Sequence, residues 1–224
     1  MKARKSFFIV LVIGLLLTSC VVKSLHPFYT RDILYFEPQF VGQWMDTDSV
    51  HWNIQPFKEV FLKENHHENP SELDEDELKT YNNYKEGYVV YYEKDSTKTT
   101  FLAMPFKINN QLFLDFTPIE DRESQQTQND LYQMHLINTH SLAKLDIVSN
   151  NSASIKWLDQ DKLEALLKAD KIKIKYEKVG FDETILLTAS SDELVKFIEK
   201  YMNSEDAEKW KTDIEFNLKR TGEQ

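Results

Sequence analysis

Two histidines, His135 and His140, are the side chains in this sequence best suited to chemistry. An imidazole titrates near neutral pH, shuttles protons and ligates transition metals. Five residues apart on one extended strand, the two would face opposite sides of a sheet, so a shared site needs a bulge or turn between them. Asn138 and Thr139 supply a plausible break. With Asp115 or Asp146 brought alongside by the sheet, the set could bind a metal or move a proton, and a His/carboxylate-dependent hydrolase is the enzyme it would make. A structural role explains the same residues and is the preferred expectation: each imidazole donates to a backbone carbonyl and packs at a strand end. No HExxH helix motif points to a zinc hydrolase.

Other candidates are weaker. His66-His67-Glu68 has ligand-type residues, but adjacent histidines rarely face one site. The run Asp74-Glu75-Asp76-Glu77 lacks the Asp-x-Asp-x-Asp-Gly spacing of a calcium loop, and its mutual repulsion favours a solvated excursion. The five glycines, Gly14, Gly42, Gly87, Gly180 and Gly222, are widely scattered. That spacing excludes a GxGxxG fingerprint, a P-loop and a GxSxG elbow, and with them the common nucleotide and α/β-hydrolase chemistries.

The single cysteine, Cys20, ends Leu17-Thr18-Ser19-Cys20, behind a basic start (Lys2, Arg4, Lys5) and an apolar run from Phe7 to Leu17. A charged start, a short apolar stretch and small residues before the cut mark a secretory signal peptide. The run falls short of the roughly 20 residues of a membrane span. The ending resembles the lipobox of bacterial lipoproteins, which implies that Cys20 carries a diacylglyceryl group and becomes the mature N-terminus. Residues 1–19 are then the signal peptide, 20–38 a lipidated N-terminus and tether that packs on the domain, and 39–224 a single domain. Cleavage takes the net charge from −10 to −13 and leaves 205 residues, enough for a sizeable core. An acidic balance argues against nucleic acid and against electrostatic adsorption to anionic lipid, so the membrane is held through acyl chains. With its thiol acylated, the mature chain has no disulfide, no cysteine-ligated metal and no cysteine nucleophile.

Further landmarks carry a family resemblance. Gly42-Gln43-Trp44, Leu112-Phe113-Leu114-Asp115-Phe116 with Pro118, His135-Leu136-Ile137 with Thr139-His140, and Leu187-Thr188-Ala189 before Glu193-Leu194 and Lys196-Phe197 resemble, in this order behind a lipobox, a group of uncharacterised bacterial envelope lipoproteins. The group implies a location and a domain but no activity and no catalytic residues. Gly42-x-Trp44 is also similar to the lipocalin signature, whose tryptophan packs across the closed end of a β-barrel. A generic packed tryptophan starting a strand is the simpler expectation.

These residues must be positioned by a sheet. Val50 to Phe57, Tyr88 to Glu93, Thr99 to Ile108 and Gln111 to Ile119 read as strands, the last two flanking a tight Asn109-Asn110 turn. Tyr132 to Val148 gives one or two more, and Ala153, Ile155 and Trp157 alternate with polar residues. Asp159 caps a helix through about residue 169. Ile172, Ile174 and Tyr176 alternate with Lys171, Lys173 and Lys175 as a half-buried strand, and Ile185 to Leu187 is another. Ser190 and Glu193 form a capping box before the clearest helix. Residues 63–80 read as solvated chain with a short helix begun by Ser71, and the tail from Trp210 to Phe216 docks without a clear period. The predicted fold is α+β: a mainly antiparallel sheet, barrel-like if partly closed, with two helices in the C-terminal third.

The functional expectation is a lipid-anchored, non-catalytic envelope protein that binds a small apolar or envelope-derived ligand or a partner protein, without cofactor or metal. His135, His140 and Asp115 are its candidate binding residues, and Cys20 its lipid-attachment site. Val21 after the cysteine, in place of an aspartate, points to the outer membrane, and Val21-Val22-Lys23-Ser24 to its periplasmic face.

Overall fold

The computed structural model describes residues 21–95, 97–119, 136–181 and 183–222. The chain enters through a short strand, β1 (Lys23–Ser24), then follows β2 (Gly42–Met45) and β3 (His51–Pro56). Helices α1 (Phe57–Glu64) and α2 (Glu75–Tyr84) precede β4 (Tyr88–Lys94), β5 (Thr97–Ile108) and β6 (Gln111–Ile119). After residues 120–135 come β7 (His140–Ser149), β8 (Ser152–Trp157) and α3 (Gln160–Lys168). The hairpin β9 (Tyr176–Val179) and β10 (Thr184–Leu187), helix α4 (Ser191–Met202) and β11 (Glu215–Arg220) complete the chain.

The fold is α+β, and its sheet closes into an eight-stranded antiparallel barrel. Strands β2 to β8 each pair with the next in sequence, and β11 returns between β8 and β2 to seal the cylinder. Closure removes the open edges that a flat sheet would expose. Period-two alternation turns one face of every strand inward: Trp52 and Ile54 of β3, Leu114 and Phe116 of β6, and Ile155 and Trp157 of β8 enter one core. Eight strands leave an interior just wide enough for side chains or one small ligand. Here aromatic rings meet across it. Trp52 of β3 and Trp157 of β8 lie 6.5 Å apart by ring centroid, and Tyr92 of β4 and Phe216 of β11 6.4 Å, although other strands separate each pair around the wall. The barrel is filled by its own side chains, each large one contributing roughly 1.5–3 kcal/mol by burial.

The end of the barrel near β2 is shut by a 3-10 turn at Pro38–Phe40, with Phe40 fully buried. Trp44 packs inside this end and donates its indole N–H to the Phe40 carbonyl at 2.9 Å.

A second core lies outside the barrel. Phe106, Phe113 and Leu142 point outward from β5, β6 and β7, and α3, α4 and β10 cover them with Leu163, Leu194, Ile198 and Ile185. Burial on both faces makes β5 and β6 near-continuous apolar runs. β1 pairs antiparallel with β7 and parallel with β10, so the N-terminal segment joins this layer to the barrel wall. Residues 21–38 pack on the domain: Val22, Ser24 and Phe28 are buried.

Local signals set several helix boundaries. Asp159 accepts the Lys162 N–H at 2.9 Å to start α3, and Ser190 and Glu193 form the capping box of α4. Two helices stand where the sequence suggested mostly strand end and solvated chain. α1 begins directly after Pro56 and lays Phe57 and Val60 on Val89 of β4. α2 is capped by Asp74 rather than Ser71, because Asp74 and Glu77 close a reciprocal box at 2.9 Å each way. In the expected Ile172–Tyr176 strand, ladder pairing starts only at Tyr176. No helix among the described residues is long and apolar enough to cross a membrane.

Candidate functional site

Asp115 sits between Leu114 and Phe116, both of which enter the barrel, so the pleat turns its carboxylate outward. The register of β6 on β7 sets Asp115 opposite Leu142 and Phe116 opposite Ser141, which brings the next outward position of β7, His140, within reach. His140 Nδ1 lies 2.7 Å from Asp115 Oδ1 and 3.0 Å from the Thr117 hydroxyl. The other carboxylate oxygen accepts the Phe28 N–H at 2.7 Å. Asp115 is only 1 % exposed, covered by the N-terminal segment as it crosses the barrel wall. A carboxylate oxygen is an acceptor, so this contact is made with the hydrogen on Nδ1, which leaves Nε2 as the ring nitrogen the clamp does not use. Tyr29 stands beside this pair, and its phenol is pushed above the usual tyrosine range, first by burial and then by the Asp115 charge.

The arrangement has two chemical capacities. A carboxylate holding one imidazole nitrogen while the other faces outward is the orienting half of a proton-transfer site. The same contacts also form a clamp: one buried carboxylate ties the Phe28 backbone and the first residue of β7 to β6. Among the described residues, no hydroxyl or thiol engages His140 Nε2, and no three His, Cys, Asp or Glu side chains cluster as a metal site.

The other sequence candidates lie apart. Asp146 pairs with Lys144 Nζ at 2.7 Å and accepts from Gln111 Nε2 at 3.1 Å, farther along β7. His67 lies between Glu72 and Glu77 at 3.6 and 3.5 Å, bracing the start of α2, while His66 occupies a left-handed turn after α1. His135 and Cys20 lie outside the described residues.

A feature the sequence reading did not single out is a groove of about 1220 Å³ outside the barrel, between α3, α4 and residues 170–176. Its floor includes Leu166, Ile172, Ile174 and Phe197. Five lysines line it: Lys171, Lys173 and Lys175 on the extended segment, and Lys196 and Lys200 one turn apart on α4. The alternation of isoleucine and lysine was legible; its closeness to the α4 lysines needed the fold. Lys175 is matched by Glu193 at 2.9 Å, whose carboxyl is held down at about 2, foremost by the Lys175 hydrogen bond and then by the Ser190 N–H and hydroxyl. Asp170 and Asp206 are the other carboxylates along the groove, so cations outnumber anions there in a protein of net charge −10.

No protein-family model, no curated protein and no solved structure matches this chain.

Proposed function

We propose that this protein is an envelope lipoprotein, acylated at Cys20 and held at the outer membrane facing the periplasm, whose domain binds rather than catalyses. The observation that carries the binding part is the filled barrel. With Trp52, Trp157, Tyr92 and Phe216 meeting across the lumen, the barrel serves as a scaffold, and the space for a ligand lies outside it. The groove's apolar floor and lysine rim suit a small amphiphile with an acidic head: the chain packs on Ile172, Ile174 and Phe197, and the head meets Lys196 and Lys200. Acyl attachment supplies the membrane affinity that an acidic domain lacks, since two or more chains hold stably where one holds marginally.

Two experiments test this. Cys20→Ser should abolish incorporation of labelled palmitate and release the protein from membranes; equal labelling of variant and parent would refute the anchor. The anionic amphiphile 1-anilinonaphthalene-8-sulfonate should bind the folded domain and lose affinity at least tenfold in a Lys196→Glu/Lys200→Glu variant. Unchanged affinity would remove the groove from the reading.

The 2.7 Å contact between His140 and Asp115 favours a second reading, an envelope hydrolase using His140 with His135. Hydrolysis of a p-nitrophenyl ester that His140→Ala abolishes, in a variant that stays folded, would put it first.

A further inference from the structure

We infer that the tip of the β9–β10 hairpin, led by Phe181, inserts into the same membrane surface that holds the acyl anchor and so fixes how the domain stands on the bilayer. The inference rests on the lipoprotein reading and adds a second, non-covalent membrane contact to it.

Three observations converge. Phe181 is fully exposed, with Val179 and Tyr176 of the adjoining strand also among the exposed large apolar residues. Scattered apolar residues on a surface are ordinary, but a phenylalanine at the end of a projecting hairpin gives up all packing with its own protein. The turn is built to project it: Gly180 and Glu183 both take positive φ, 77° and 52°, and Lys178 grips Glu183 across the hairpin at 2.7 Å.

The start of the described chain is firmly seated. Val21 bridges Asp159, the Val22 N–H donates to the Leu158 carbonyl, and Val22 is buried. Val21 follows Cys20 by one peptide bond, so acyl chains on that cysteine would hold this spot of the domain against the bilayer with almost no slack.

Strand direction then places the two features together. β1 runs parallel to β10, Lys23 opposite Leu186 and Ser24 opposite Leu187. Continued backward, that register sets Val21 level with Thr184, the first residue of β10 after the hairpin tip. Adjacent strands lie roughly 4.8 Å apart and residues rise about 3.3 Å each, which puts Phe181 on the order of 10 Å from the anchored end. The hairpin therefore points to the side from which the chain emerges. β7 runs antiparallel to β1, with His140 opposite Ser24, so Ile137 lies toward the other end. Lys178 is already paired with Glu183, and Asp182 follows Phe181 in the sequence, so the contact gains nothing from anionic lipid and relies on the Phe181 ring, which should work on zwitterionic headgroups. Alone, one aromatic side chain would hold poorly; beside an acyl anchor its effective concentration at the surface is high.

Acylation leaves the mature chain without a free thiol, so a cysteine introduced at 181 can be labelled alone. The lipidated full-length Phe181→Cys protein, carrying an environment-sensitive nitrobenzoxadiazole label, is reconstituted into phosphatidylcholine vesicles, with Ile137→Cys as the opposite-end control. Nitroxide-bearing lipids should quench the label at 181 several-fold more than at 137, and its emission should shift to the blue. Equal quenching at both sites in protein that floats with the vesicles would overturn the inference and leave the anchor intact. A label at 181 shielded from both aqueous iodide and lipid nitroxides would overturn it in favour of a protein contact. Protein that fails to acylate or float would overturn the anchor, and the inference with it.

Discussion

The guanidinium of Arg220, near the end of the last strand, lies 4.2 Å from the ring centroid of Trp44 in the first strand of the barrel. The same group donates to the carbonyls of Val41 at 2.8 Å, Gln39 at 2.6 Å and Asn150 at 2.8 Å. One planar fork thus joins β11, the 3-10 turn that shuts the barrel and the β7–β8 turn. Arginine can do this because its five donors are held in a fixed plane that also stacks on an aromatic face. Gly42 lies directly beneath, at φ 132°, where any Cβ would strike the guanidinium.

Arg220→Ala should therefore lower stability by about 2–4 kcal/mol, combining lost charged hydrogen bonds with the lost cation–π contact. Arg220→Lys should fall between, keeping a charge but not the fork. Gly42→Ala should resemble Arg220→Ala, because backbone strain and the guanidinium's displacement act together. Urea midpoints of the three variants check this; an unchanged midpoint for Arg220→Ala would mean that the barrel end is sealed by Phe40 and Trp44 alone.

The Asp115 clamp makes a graded prediction. Asp115→Ala strands the buried Phe28 N–H and the His140 Nδ1–H together, and should cost more than His140→Ala, itself worth roughly 1–3 kcal/mol. Asp115→Asn should be mildest, because its amide oxygen can still accept from Phe28 while His140 switches tautomer to accept from the amide nitrogen. Chemical denaturation ranks the three. His140→Ala as the most damaging, or stoichiometric zinc in the parent that is absent from that variant, would favour site chemistry over clamping.

The strands and caps were legible because their causes are local. Alternation around Ile155 and Trp157, the Asn109-Asn110 turn and the Ser190–Glu193 box need only near neighbours. Closure of the barrel was legible only as a barrel-like expectation, without the strand that seals it. Glu215–Arg220 carries only Phe216 and Leu218 as apolar signals, and its partners are β8 and, across most of the chain, β2. α1 was hidden for another reason: Phe57, Val60 and Phe61 have helical spacing but follow a strand pattern without a break, and Pro56 alone marks the change. The site shows the same division. Asp115 and His140 were visible as residue types, but their contact depends on a β6–β7 register that twenty intervening residues leave open. The Phe28 N–H that occupies the second carboxylate oxygen had no sequence signal at all.

The β5–β6 turn tests how far a local rule holds. Asn109 and Asn110 have φ of 48° and 64°, the left-handed pair that a two-residue hairpin requires. Asn109 also donates its amide to Asn203 at the end of α4 at 3.2 Å, whereas Asn110 makes no such cross-contact among the described residues. Asn110→Gly should be neutral or stabilising by a few tenths of a kcal/mol, and Asn110→Val should destabilise by about 1–2 kcal/mol, since a β-branched side chain clashes in this region. Melting temperatures in the opposite order would refute the turn.

Glu193 gives the fold a defined acid dependence. Its carboxylate accepts from the Lys175 ammonium, at 2.9 Å between the charged atoms, and from the Ser190 N–H at 2.9 Å and hydroxyl at 3.1 Å. All three favour the ionised form, the Lys175 bond most, and hold its pKa at about 2, below the ordinary 4.5. A depressed carboxylate stabilises the fold fully above its unfolded value. That contribution fades as pH falls from about 4.5 toward 2, where the folded form also protonates. Glu193→Gln should thus be less stable than the parent at pH 7, because the neutral amide can accept from Ser190 but has no charge for Lys175. The gap should close steadily below pH 4.5 and be nearly gone at pH 2. The group is solvent-exposed, so added salt should also narrow the gap at pH 7. Urea midpoints of both proteins across this range decide it: a difference that stays constant from pH 7 to pH 2 would mean that the cap acts through shape rather than charge, and that Lys175 is free to meet an anion in the groove.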